Sequence, residues 1–146
     1  MSSKTVATLV LTAALAGCGA TTTTTPTPPQ AGKYKTAKAA IVRAEQWKLH
    51  SIGVRDGKAL CAGGTARFRR HLIRKARRAD CPASAGRLMD SLGAKDTAAL
   101  GGRIAEATVD GKITVRGTRA LLTTPAGEHA RFRLVHGTWL WDLDRR

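Results

Sequence analysis

Apolar residues recur at helical spacing from Lys35 onward: Ala40, Ile41, Ala44, Trp47 and Ile52 crowd one side of the helical period, while Lys38, Arg43 and Glu45 fall largely elsewhere. This spacing predicts a first helix over residues 35–54. Asp56-Gly57 breaks the pattern, and Asp56 is placed as the N-cap of a second helix carrying Leu60, Cys61, Phe68, Leu72, Ile73 and Ala76. Gly63-Gly64 is expected either to kink that helix or to split it in two. A third, shorter helix is predicted from Pro82, a residue suited to a first turn, with Ala85, Leu88, Met89 and Leu92 in register and Gly93 as its stop.

Beyond Asp96-Thr97 and Gly101-Gly102 the period shortens to two. Ile104 to Val109, Ile113 to Val115, Thr118 to Thr124, His129 to Val135 and Thr138 to Leu143 are short and rich in β-branched or aromatic residues. Turn signals separate them at Asp110-Gly111, Pro125-Ala126-Gly127 and His136-Gly137. Ala130, Phe132 and Leu134 alternate with Arg131 and Arg133, and Trp139, Trp141 and Leu143 alternate with Leu140 and Asp142, so each strand offers one apolar face. Helices first and an antiparallel meander second predict an α+β domain with the helices packed on the apolar side of a curved sheet.

The chain upstream of these elements has a different character. A short apolar run from Val6 to Gly17 follows Lys4 and ends in Leu15-Ala16-Gly17-Cys18. It has the length of a signal-peptide core and is too short to span a bilayer. The pattern resembles the lipobox of bacterial lipoproteins, which implies a signal peptide over 1–17, diacylglycerol on the sulfur of Cys18, and a mature chain held outside the cytoplasm. Residues 18–32 follow as a tether: Thr21 to Thr25 are consecutive threonines, and Pro26, Pro28 and Pro29 favour extended geometry at about 3.1 Å per residue. With no charge and no large apolar group between Ala20 and Gln30, this stretch is expected to stay unpacked as a spacer. What remains, residues 33–146, is enough for one modest core and not for two domains.

Export resolves the cysteine count. Assigning Cys18 to lipid leaves Cys61 and Cys81 as a pair in a compartment that permits disulfides. A redox pair or a metal site is the competing reading, but no Cys-x-x-Cys occurs, and His50, His71, His129 and His136 are scattered. A bridge across a loop of this length should stabilise the fold by on the order of 3 kcal/mol in the entropic model.

The order of these features resembles small NTF2-like lipoproteins of actinobacteria, in the cystatin-like superfamily. The residues that carry the likeness are the first helix, then Val54-Arg55-Asp56-Gly57-Lys58-Ala59-Leu60-Cys61, then the second cysteine at Cys81. A meander ending Gly137-Thr138-Trp139-Leu140-Trp141-Asp142-Leu143 completes it. The resemblance implies a curved sheet wrapped around the first helix, forming a cone whose mouth can hold a ligand. It implies no single activity, because that fold hosts isomerases, dehydratases and domains without catalysis. A pocket at such a mouth would be lined by Trp47, His50 and His129, with Asp56 within reach of a histidine for proton transfer. The second helix departs from the family pattern in being strongly basic.

Arg67, Arg69, Arg70, Arg74, Lys75, Arg77 and Arg78 fall within a dozen residues, and no Asp or Glu occurs between Asp56 and Asp80. The whole chain carries a formal charge of +15, and loss of the signal peptide removes only Lys4. A field this positive attracts polyanions, and an exported, tethered domain meets anionic lipid headgroups and acidic wall polymer; nucleic acid is not the expected partner. The alternative is a solvated face without a partner. No Gly-x-Ser-x-Gly, phosphate-binding glycine loop, His-Glu-x-x-His or paired-carboxylate motif is present, so the sequence nominates no catalytic residue, metal or cofactor. If Cys18 is the acyl attachment point, Cys18→Ser moves the protein from the membrane to the soluble fraction and removes the diacylglyceryl mass. An unprocessed, unacylated amino terminus on a cytosolic wild-type product overturns the assignment.

Overall fold

Helices precede a four-stranded sheet in a computed structural model that describes residues 26–93, 95–96, 99–100 and 110–143. After a 3-10 turn at Ala31–Lys33 come α1 (Ala37–Gly53), α2 (Gly57–Ala62), α3 (Ala66–Ala76) and α4 (Cys81–Asp90). Each α-helix starts behind a side chain that accepts a bond from an otherwise unpaired backbone N–H. Thr36 accepts from Ala39, Asp56 from Ala59, Thr65 from Phe68 and Asp80 from Ala83. Asp56 is thus the N-cap expected of it, and Pro82 lies in the first turn of α4. Helix α3 ends at Arg77, which adopts the left-handed conformation with φ 53°, while Arg87 Nη1 donates to the Ala76 carbonyl at 3.2 Å.

The strands are β1 (Lys112–Arg116), β2 (Arg119–Thr123), β3 (His129–Val135) and β4 (Thr138–Asp142), antiparallel and in the order β1-β2-β3-β4. His136 and Gly137 both have positive φ, 46° and 74°, as a two-residue hairpin turn between β3 and β4 requires. The register places Val115, Ala120, Phe132 and Trp141 in one row and Ile113, Leu122 and Ala130 in the next. Leu134 and Trp139 extend the same face. Within this face Leu122, Phe132, Trp139 and Trp141 are buried and meet Ile41 and Ala44 of α1 in one core. The apolar alternation read from β3 and β4 is therefore the core face of an α+β fold, with helices on one side of a sheet that does not close into a barrel.

The free edge of β4 is sealed by two irregular segments. At its start, Gln30 bridges Thr138 and the Ala31 N–H donates to Gly137 O at 2.8 Å. At its end, Gly64 runs parallel to Trp141: Thr65 N donates to Trp141 O at 3.0 Å, and Trp141 N donates to Gly63 O at 3.1 Å. Thr65 also donates from Oγ1 to Asp142 Oδ1 at 2.8 Å. These bonds pair groups that a bare sheet edge would leave open.

Of the two alternatives expected at Gly63-Gly64 the split is the one seen, and other expectations need correction. The second helix is two helices, α2 and α3, parted at Gly63-Gly64 because the Trp141 indole occupies the space over those residues. A Cβ on Gly63 would fall on the six-membered ring of Trp141, and one on Gly64 would strike the Phe68 ring. The spacer expected to stay unpacked does not run free to residue 32. Pro28 and Pro29 are half-buried, Gln30 and Ala31 bond to the last hairpin, and Ala31 packs on the core. Glu45, placed off the apolar side of the first helix, is buried, as is Leu49. The segments 1–17 and 104–109, with Cys18 and Thr21 to Thr25, lie outside the described residues.

Cys61 and Cys81 form a disulfide between α2 and the first residue of α4, with Cα atoms 6.1 Å apart and both residues buried. Their separation of 20 residues sets the loop that the bond closes. Reduction is expected to cost about 3 kcal/mol and to lower Tm by roughly 10 °C or more, read by thermal denaturation with and without reductant. Gly63→Ala should destabilise by about 2 kcal/mol through overpacking against Trp141. Gly86→Ala in α4, where a Cβ meets nothing, should stabilise by about 0.5–1 kcal/mol. Equal stability changes at the two glycines would contradict the packing described for Trp141.

Candidate functional site

Helix α3 buries Leu72 and Ala76, which fixes the orientation of everything else on it. Arg67, Arg70 and Arg74 follow one another at i, i+3 and i+7, forming a stripe about 10 Å long on the side away from those two residues. Arg69 stands on the flank nearer the sheet, and Lys75, Arg77 and Arg78 extend the cluster to the end of the helix and past it. All seven cations are exposed, and His71 among them is half-buried. Arg69, Arg70, Arg74, Lys75, Arg77 and Arg78 make no ion pair among the described residues.

The acids that lie nearest in sequence are committed elsewhere. Asp56 and Asp80 cap α2 and α4. Asp142 accepts from Thr65, and its Oδ2 faces Arg133 Nε at 3.4 Å. Repulsion among the cations from Arg69 to Arg78 is therefore relieved by solvent and counterions, and the helix holds its shape through its cap at Thr65 and through Phe68. The Phe68 ring meets Trp141 edge-on with centroids 5.8 Å apart.

Trp47, His50 and His129 do not converge. Trp47 and His50 lie beside Pro28, Pro29 and Tyr34 in an open concavity, and Trp47 Nε1 donates to Ala59 O at 3.0 Å. His129 stands at the start of β3, with Nδ1 3.1 Å from Thr123 Oγ1, on the rim of a separate cavity of about 470 Å³. Asp56 is held by its capping bond to Ala59 N at 2.9 Å. Among the described residues no hydrogen bond joins Asp56 to His50 or His129, so a His–Asp pair for proton transfer is not assembled. Among the described residues no three His, Cys, Asp or Glu side chains gather in a way that could hold a metal ion.

The second cavity exposes residues that the sequence reading passed over. Its walls come from α1, α2, α3, α4 and the β2–β3 loop, and they are mainly apolar: Leu49, Ile52, Leu60, Phe68, Leu88 and Met89. On the α1 wall sits the carboxylate of Glu45, ion-paired at 2.7 Å to Lys48 Nζ, with the side chains 9% and 21% exposed. A signal was present, since Ile41, Glu45, Leu49 and Ile52 form one stripe at i, i+4, i+8 and i+11, with the acid in the middle of it. Neither a protein-family model, nor a curated protein, nor a solved structure matches this chain.

Glu45 is buried and Lys48 supplies its countercharge from the same helix face. Lys48→Met should therefore destabilise by about 1–2 kcal/mol, a value discounted for the partial exposure of the lysine. Arg55→Ala removes an exposed pair with Asp90 at 3.5 Å and should change stability by less than about 0.5 kcal/mol. Chemical denaturation of the two variants compares them directly.

Proposed function

We propose that this protein is a lipid-anchored extracytoplasmic domain without catalysis that binds an anionic partner of the cell envelope through α3. The observation that carries the reading is the exposure of all seven cations between Arg67 and Arg78 on a stretch without an acid. A cluster of this density gains roughly 1 kcal/mol per cation against an anionic surface, so a few such contacts give useful affinity without any shaped pocket. The Cys61–Cys81 bond is compatible with an oxidising compartment, and no helix among the described residues is long and apolar enough to cross a membrane. Attachment through Cys18 supplies the membrane association in this reading. The order of helices and meander supports an NTF2-like reading of the domain.

A second reading has its own observation. The cavity of about 470 Å³ beside the buried Glu45–Lys48 pair suits a small ligand with an apolar body, bound or turned over as in NTF2-fold pocket proteins.

Replacing Arg70, Arg74 and Arg78 together by glutamate tests the first reading. Arg77 is left in place because it ends α3 in the left-handed conformation. Made in the unacylated Cys18→Ser chain, so that no lipid anchor holds the protein, these changes should lower binding to anionic vesicles or acidic polymer by about two orders of magnitude, since three near-surface cations are lost. Binding equal to wild type removes the reading, and a small ligand that protects the protein against heat while ignoring these substitutions favours the second.

A further inference from the structure

Strand register builds a second row of cations on the side of the sheet opposite the core. Arg116 pairs with Arg119 across the β1–β2 turn, and Arg119 pairs with Arg133 of β3, so three arginines stand side by side across three strands. At a strand spacing of about 4.8 Å the row is about 10 Å long, similar to the Arg67–Arg74 stripe. Leu140 of β4 continues it, and the next row places Arg131 opposite Asp142. Like charges directly opposite one another weaken strand pairing, so folding does not call for Arg beside Arg beside Arg.

The row and α3 flank one groove of about 370 Å³. Its walls include Thr65, Arg67 and Arg69 on the helix side, and Arg133, Leu140 and Asp142 on the sheet side. Asp142 is bound to Thr65 and faces Arg133, so it anchors that arginine at the groove wall. Arg116 and Arg119 are exposed beyond it.

We infer that the outer sheet face is a second anion-binding surface, continuous with α3 through this groove, and that its ligand is a linear polyanion. The inference rests on the proposed role of α3 and narrows it. A flat headgroup layer resting on the α3 stripe does not also enter the groove and reach a row on the far side of a curved sheet. A flexible chain of phosphates or carboxylates follows all three in turn.

Long-chain inorganic polyphosphate is the probe, tripolyphosphate the short control, and phosphatidylglycerol vesicles the planar control, each with the full-length Cys18→Ser chain, which carries no acyl anchor and needs no detergent. Arg116→Gln with Arg119→Gln should weaken polyphosphate binding about tenfold and reduce the slope of log affinity against log salt by about two. Binding of tripolyphosphate and of vesicles should change less than about twofold. Arg133→Gln, on the sheet wall of the groove and outside α3, should repeat the chain-length dependence and serves as a second variant if the turn substitutions disturb the hairpin. If these variants bind polyphosphate as wild type does while the α3 glutamate variant fails, the sheet surface is overturned and the α3 reading stands. If all bind as wild type, both fall. Equal loss on vesicles and on polyphosphate overturns the linear ligand.

Discussion

The fold depends on one contact, the Trp141 indole lying against a gap in the helical layer. Gly63 and Gly64 leave room for the ring, and the backbone on either side bonds to β4 while Phe68 meets the ring edge-on. Immediately afterwards Thr65 caps α3 and reaches Asp142. Burial of the largest aromatic side chain, closure of a sheet edge and the start of a helix are thus decided within a few residues. With few aromatic residues in the chain, the core around Trp141, Trp139 and Phe132 is largely aliphatic and small, and a second constraint compensates: the Cys61–Cys81 bond ties α2 to α4 next to this junction.

Much of this was legible in the sequence, and the reasons differ by element. The core face of β3 and β4 could be read because period-two alternation is a local property, and Phe132, Trp139 and Trp141 are buried as their spacing predicts. The N-cap at Asp56 was legible for the same reason. The parting of α2 from α3 was not decidable, because what requires Gly63-Gly64 to be bare is a tryptophan near the far end of the chain. A distant ring leaves no mark on local periodicity.

The remaining misreadings have electrostatic or entropic causes. Glu45 looked like a solvent residue because acids are rarely buried, and Lys48 one turn on makes the exception tolerable. Residues 28–31 looked unable to pack because they carry no large side chain, yet backbone bonds to the β3–β4 turn hold Gln30 and Ala31 without one. Of the candidate site, the α3 cations stand exposed where the charge run placed them. The histidine-lined pocket dissolved, because Trp47 and His50 lie in one concavity and His129 on the rim of another. The arginine row on the sheet was invisible: Arg131 and Arg133 were legible as a solvent face, but only register sets Arg119 and Arg116 beside Arg133.

The sealing of β4 has a mechanical side. Gln30 and Gly64 occupy the same edge of that strand, opposite Thr138 and Trp141, about 10 Å apart along it at the usual rise per residue. The incoming polypeptide and the beginning of α3 are therefore fastened to a single rigid rail. A pull on the amino-terminal chain would enter the domain along this rail, and α3 would stay fixed beside the point where that chain joins the sheet.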